Sequence, residues 1–362
     1  MIIQSFGGLL YKKEKSFLEK VFLFPFYLLS LLYGLIVEIR VSLYAKGIFK
    51  IKRLPFPVIS VGNITVGGTG KTPLVIAMAR ELKERGIKPA ILTKGYKGKV
   101  KHSYIIKNKK AHHFSPKFLG DEPFLMAKQL NEIPIVVGSN RFKNAQMALR
   151  HFSISGFLLD DGFQYLSLYR DLDILLIDSQ IGFGDYHLLP RGILREPLLQ
   201  IKRADIFLIT KVIDSQSSQR LEEKILNIKP SSKIFHSHYE PIGLITPKGE
   251  IEDIGLFHGK SVAALSGIGN HEYFSYLLKK CGMLVLKEFV FPDHHFYTEK
   301  DLTFIREKVK EVEYVVTTEK DMVKLNQLQI EWIPLRALRV EMRIWEEEEF
   351  YKRIMEIFLR KI

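Results

Sequence analysis

The chain has a single cysteine, Cys281, in 362 residues. A disulfide within the chain is therefore excluded, and a packed thiol is the simplest role for Cys281. No Cys/His cluster carries zinc spacing. There is no internal repeat, no low-complexity tract and no N-K-x-D guanine signature. No small-residue cleavage site follows the N-terminal apolar run, which argues against a removed signal peptide. Acidic charge is in short supply, with 40 Asp or Glu against 54 Lys or Arg, +14 formally. That excess suits an anionic partner: nucleic acid, anionic lipid or a phosphorylated substrate. No aromatic–basic RNA or DNA module accompanies it, so a nucleic-acid partner is not expected. Apolar content of 46% supports full cores rather than disorder, and the length allows two ordinary domains.

The basic excess is uneven. Residues 1–53 hold nine Lys or Arg against three Glu. The same segment contains the longest uncharged apolar run, Val21 to Val37, 17 residues interrupted by Pro25, Ser30 and Gly34. That length is at the lower edge of what spans a bilayer. Three readings stand: a spanning helix, a helix lying in the interface, or a buried helix of the soluble fold. Basic residues and aromatics on both sides suit anionic headgroups. Spanning would place Lys12, Lys13 and Lys15 on the far side, against the usual charge bias. A partly embedded, monotopic helix is the expectation.

"NITVGGTGKT", Asn63 to Thr72, departs from the phosphate-loop pattern G-x-x-x-x-G-K-[ST], because Thr65 stands where the first glycine belongs. Its flanks fit the motif. "FPVISVG" reads as a buried strand, and "LVIAMARELKERG", after Pro73 in a first-turn position, reads as a helix ending at Gly86. Gly67, Gly68 and Gly70 let backbone N–H groups point at phosphate oxygens, and the helix start adds positive potential. Lys71 would reach the β- and γ-phosphates and the Thr72 hydroxyl would bind Mg²⁺. The competing reading is a glycine turn with a chance lysine.

Further apolar strands are expected in "KPAILT", "IPIVVG", "SGFLLD", "DLDILLID" and "RADIFLIT", with helices in "EPFLMAKQL" and "RFKNAQMALRHF". "KHSYIIKNKKAHHF" reads as a hairpin or surface loop. Strands alternating with helices give a parallel sheet covered on both faces. A second βαβα unit follows, and "EEEEFYKRIMEIFLRKI" reads as an amphipathic helix with a solvated start. The expected organisation is an apolar, basic, membrane-associating helix at 1–45 and a P-loop NTPase-like α/β domain at 46–242. A linker at 243–254, a smaller α/β domain at 255–340 and a C-terminal helix at 341–362 complete it.

Carboxylates and bases gather at predicted strand ends. "FLLDDG" is Walker-B-like, delivering Asp160 and Asp161 to the edge where open α/β sheets bind ligands, and such carboxylates can hold Mg²⁺. Its bland alternative is a capped Asp-Gly turn. "GDEP" puts Asp121 and Glu122 at a helix start, where Asp is also a preferred N-cap. "FPDHHFY" holds Asp293, His294 and His295; a His beside a carboxylate is a candidate proton carrier, and a surface histidine pair is the alternative. Tyr96 and Lys97, Arg141, Arg191, Arg195 with Glu196, and Lys320 also sit at predicted strand ends or turns. Singly each reads as solvated surface, whereas several on one edge would form an anion-binding rim, with Tyr96, Arg141, Arg195, Glu196 and Lys320 as the candidate substrate-binding residues.

Seven stretches, "SVGNITVGGTGKTP", "GDEP", "LDDGFQ", "LLPRGILREPL", "SGIGN", "FPDHHFY" and "TTEKD", occur in an order that resembles the tetraacyldisaccharide 4'-kinases of lipid A synthesis. The resemblance runs from about Leu43 to the C-terminal region, and that family's loop also lacks the first glycine. It implies transfer of the γ-phosphoryl group of ATP, with Mg²⁺, to the 4'-hydroxyl of tetraacyldisaccharide 1-phosphate. It implies a membrane-associated enzyme on the cytoplasmic face of the inner membrane of a Gram-negative cell; no obligate protein partner is inferred from the sequence. Carried over, Thr65, Val66, Gly67, Gly68, Thr69, Gly70, Lys71 and Thr72 bind ATP, and Asp160 and Asp161 lie near the metal. Asp121 matches the catalytic aspartate and His294 its partner. Two departures are visible: Tyr165 where many members have His, and His271 where Pro is common. The classes weighed against this reading are a P-loop kinase with another acceptor, a GTPase-type switch and a nucleic-acid binder.

Overall fold

The computed structural model describes residues 8–11, 15–95, 102–107, 116–328, 330 and 334–360. Among them the strands form one 13-stranded sheet with the order β11-β10-β12-β13-β8-β7-β6-β1-β5-β2-β4-β3, and β9 added to β8. The strands are β1 Val58–Gly62, β2 Pro89–Thr93, β3 Tyr104–Ile106, β4 Ile135–Val137, β5 Gly156–Asp160, β6 Leu172–Asp178, β7 Ile206–Thr210, β8 Lys233–Ile245, β9 Ile251–Glu252, β10 Ser261–Ser266, β11 Leu284–Val290, β12 Tyr314–Thr318 and β13 Leu335–Ile344. The helices of seven residues or more are α1 Phe24–Ala45, α2 Lys71–Glu84, α3 Asp121–Gln129, α4 Arg141–His151, α5 Ser215–Ile228, α6 His271–Lys280, α7 Glu299–Lys308, α8 Glu319–Leu325 and α9 Glu347–Leu359.

Strands β1, β5, β6 and β7 are buried at every position. Helices cover both faces of the sheet, which is why these strands read as unbroken apolar runs. One face holds Ile59, Leu74, Met78, Ile91 and Leu158 with residues of α9, and the other holds Val58, Ala90, Phe157 and Leu168. The parallel order carries the C-terminal ends of β1, β5, β6 and β7 to one edge.

Residues 243–254, the expected linker, carry the end of β8 and all of β9. β8 runs parallel to β7 through Lys233–His236 and then antiparallel to β13 from Ser237 to Ile245. Residues 244–252 close a hairpin, Leu244 opposite Glu252 and Ile245 opposite Ile251. A single strand thus belongs to both sheet halves. The C-terminal boundary also moves, since β13 continues to Ile344 and α9 returns to the loop-bearing half. Phe350 packs edge-on against Phe235 at 5.3 Å, while the four glutamates before it are solvent-exposed.

Helix α1 is longer than the apolar run, at 22 residues. Pro25 lies in its first turn, where a missing N–H costs nothing, and the helix passes uninterrupted through Ser30 and Gly34. Those two and Val37 are its buried residues. Leu28, Leu29, Leu31, Leu32, Leu35, Ile36 and Ile39 are all exposed. A Cβ on Gly34 would lie 2.7 Å from Leu188 Cδ1, so glycine is what permits the close approach. By length and composition α1 can cross a membrane.

Candidate active site

The loop between β1 and α2 opens onto a cleft of about 650 Å³ whose walls come from both sheet halves. Gly67 and Gly70 adopt φ of 107° and 93°, the left-handed region where side chains are strained. Thr65 needs no such freedom. It bridges Leu194, and the Val66 and Arg195 N–H groups bond the Ile193 and Ile64 carbonyls at 2.8 and 2.7 Å. Thr65 is therefore buried in a short ladder at the loop's base, while Val66 to Thr72 line the cleft. Gly70 precedes the first turn of α2, whose backbone N–H groups are the loop's helix-start donors.

Lys71 Nζ donates to Asn63 Oδ1 at 3.2 Å and lies 3.5 Å from Asp161. Arg195 donates to both Asp161 oxygens at 3.0 and 3.1 Å. The neighbouring carboxylates Asp160 and Asp161 differ sharply. Burial, then the charges of Glu122 and Asp161, push Asp160 up to about 7. Burial also acts to raise Asp161, but Lys71 and Arg195 outweigh it and hold that carboxyl at about 2. The Asp160 side chain accepts from the Thr93 hydroxyl at 2.8 Å, and its Oδ1 is buried without a hydrogen-bond partner among the described residues.

Among the described residues no group of three or more His, Cys, Asp or Glu is placed to hold a metal by itself. Mg²⁺ does not need one, since it is held by one or two carboxylates together with phosphates and waters. The Thr72 hydroxyl, the orphaned Asp160 oxygen and Asp161 fit that requirement.

Across the cleft the second set of groups comes from the start of α3, the turn after β11 and helix α8. Asp121 stands at the first position of α3, with Gly120 as its N-cap and no side-chain cap bond. The capping role expected of an Asp here is absent. Its Oδ2 instead lies 3.3 Å from His294 Nδ1 and 3.7 Å from Lys324 Nζ. Burial alone would raise the Asp121 carboxyl, but the His294 hydrogen bond and the Lys324 and Lys320 charges bring it below its ordinary value. Lys320 sits between Asp293 at 3.1 Å, His294 Nε2 at 3.3 Å and Glu122 at 3.9 Å. Burial would lower this ammonium; Asp293 and Glu122 raise it instead, so it stays charged.

Two residues expected on an anion-binding rim are elsewhere. Arg141 is buried, donates to the Gly138 and Ser139 carbonyls and stacks over the Tyr165 ring at 5.1 Å. Glu196 is buried against Arg203, and burial raises its carboxyl. Glu196 folds inward onto a charged partner, whereas Arg141 is held by backbone carbonyls and a ring, and burial lowers its guanidinium. Arg191 is likewise engaged by Asp185 at 2.8 Å. Arg195 and Lys320 do line the cleft. Tyr96 and Lys97 lie outside the described residues. Tyr165 accepts the Arg141 N–H at 3.0 Å through its hydroxyl, so it supports α4.

Sequence reasoning passed over several residues. Lys211 donates to the Gly68 carbonyl at 2.5 Å and to Asp178 at 2.6 Å, and Asn270 from the second half reaches the same Asp178 oxygen at 3.2 Å. Asp178 and Lys211 end or follow apolar strands, the signal that drew attention to Asp160. Lys324 follows Lys320 at i+4, one turn along α8.

A parallel α/β sheet with a glycine loop delivering Lys-Thr to a helix start, and acidic residues at the adjacent strand end, defines a P-loop phosphotransferase. The family model of tetraacyldisaccharide-1-P 4'-kinase matches residues 21–359. The chain belongs to that family. It is 38% identical over 328 residues to the tetraacyldisaccharide 4'-kinase of Desulfatibacillum aliphaticivorans, covering 89% of each chain. It is 38% identical to that of Syntrophus aciditrophicus, covering 92% of this chain and 93% of the relative. The crystal structure of the "apo" form of LpxK from Aquifex aeolicus in complex with ATP superposes with a TM-score of 0.71 at 35% identity, covering 91% of this chain and 97% of that one.

Proposed function

We propose that the cleft transfers the γ-phosphoryl group of ATP to the 4'-hydroxyl of tetraacyldisaccharide 1-phosphate, giving lipid IVA in lipid A biosynthesis. The observation that carries this assignment of roles is the meeting, in one cleft, of the Lys71 loop with His294, whose Nδ1 lies 3.3 Å from the buried Asp121 carboxylate. The reaction forms one P–O bond to the sugar oxygen and breaks the bridging bond to ADP. Such transfers need alignment and charge neutralisation more than covalent help. Backbone N–H groups of residues 66–72 cradle the phosphates, and Lys71 turns from Asp161 to the γ-phosphate. Thr72, Asp160 and Asp161 would hold Mg²⁺, which would supply charge neutralisation for the transferring phosphate. Asp121 accepts or orients the 4'-hydroxyl proton, and His294 and Lys324 hold its carboxylate ionised and aimed. Lys320 and Arg195 face the anionic substrate from the two walls.

The organisation into a loop-bearing unit and a smaller α/β unit hinged on β8 is part of this reading. So is the location. The exposed leucines of α1, with Ile48, Phe49 and Ile51 beyond it and Lys46, Lys50, Lys52 and Arg53 alongside, suit the cytoplasmic face of the inner membrane. The acyl chains then stay in the lipid while the sugar enters the cleft. Incubation of pure protein with γ-labelled ATP, Mg²⁺ and the lipid A disaccharide precursor tests the assignment. Label in the lipid is expected; bound ATP with no labelled lipid would overturn it.

A further inference from the structure

We propose that Tyr33 of α1 is a positioning residue for the phosphate loop, so that the helix facing the lipid is also part of the catalytic frame. This rests on the reaction proposed above. The Tyr33 hydroxyl donates to the Arg195 carbonyl at 2.7 Å. Arg195 holds both oxygens of Asp161, and Asp161 lies 3.5 Å from Lys71. A second thread leaves the same helix. Arg40 donates to the Gln164 carbonyl at 3.0 Å, Gln164 Nε2 donates to the Asn63 carbonyl at 2.9 Å, and Asn63 accepts from Lys71 at 3.2 Å. Both threads end on Lys71.

Residues 33 and 40 are seven apart, two turns along one stripe of the helix. Between them Gly34 brings the backbone against Leu188, and one turn earlier Ser30 is buried with its hydroxyl on its own helix. An anchor needs only the outer stripe of leucines. The inner stripe needs small residues to dock, and nothing about docking calls for a tyrosine and an arginine bonded to backbone carbonyls beside the loop. Burial and the nearby Glu196 carboxylate raise the Tyr33 hydroxyl above its ordinary value, which keeps it a donor.

Tyr33→Phe retains the ring and removes one oxygen. In detergent micelles with saturating lipid precursor we expect kcat to fall about 3- to 10-fold, the usual consequence of one lost hydrogen bond, with Tm nearly unchanged. The deciding arm is the same substitution in an Arg195→Ala background, where it should have no further effect. Arg40→Gln cuts the second thread from an exposed position and should lower kcat about 2- to 5-fold. Wild-type kcat in Tyr33→Phe, or an equal loss with and without Arg195, would overturn the proposal. A wild-type protein that labels no lipid would instead sink the proposed reaction, and the same cycle read on ATP affinity would still decide the role of Tyr33.

Discussion

The two walls of the cleft are built differently. On the loop wall, Lys71, Asn63, Asp161 and Arg195 all come from the β1–β7 half, and each charge is matched by a neighbour in that half. On the opposite wall Asp121 belongs to the loop-bearing half, but His294, Lys320 and Lys324 come from the other. The side chains around Lys71 therefore come from one half, although Asn270 of the other half reaches the Asp178–Lys211 pair beside the loop, whereas the Asp121–His294 contact exists only when the two halves are in register. Nucleotide binding and proton handling should respond to substitution independently.

The largest expected effect is on the shared wall. Asp121→Ala should lower kcat about 10²- to 10⁴-fold, the range for a lost acid–base group, with ATP affinity little changed in a titration calorimeter. A large loss of ATP affinity would break the separation between the walls. Lys71→Ala should cost about 10²-fold or more in kcat and, unlike Asp121→Ala, should also weaken ATP binding. A variant with normal ATP affinity and normal turnover would remove the loop from the chemistry.

A smaller effect is expected of Asp160. Its folded-state value of about 7 lies above the ordinary carboxylate value of 3.8. The folded protein therefore keeps a proton that the unfolded chain releases, and stability is lost as pH rises from near 4 to near 7. Asp160→Asn should flatten that slope, so that Tm between pH 5 and pH 8 falls less than in the wild type. Equal slopes would show that Asp160 is not the titrating group. The smallest effect is assigned to Tyr165→Phe, about 1 kcal/mol of stability from the lost Arg141 N–H acceptor, with KM for the lipid unchanged. A raised KM would assign Tyr165 a substrate contact instead.

How much of this was legible followed the same division. The loop wall is local in sequence: positive-φ glycines, a strand before and a helix after leave their pattern within about twenty residues, and Asp160 and Asp161 end an apolar run. Thr65 broke the pattern only on paper, because an extended, paired residue has no need to be glycine. The opposite wall was illegible from spacing, since Asp121 and His294 are 173 residues apart; only the family resemblance joined them. The burial of Arg141 and Glu196 is not legible in the sequence, because spacing does not tell whether a charge at a turn faces the cleft or folds onto a nearby Tyr ring or Arg. β8 leaves no strand pattern because His236, His238, Glu240 and Pro241 sit mid-strand where it changes partners, and its last residues overlap the expected linker.

The central claim, that Asp121 and His294 act as one unit across the two halves, is tested most directly by a double-substitution cycle on kcat. Asp121→Ala and His294→Ala should each be severely impaired, and the double variant should be little slower than the slower single one, since residues that act together are strongly non-additive. ATP affinity should hold in all three. Fully additive losses in kcat would contradict the pairing and return His294 to the surface of the cleft.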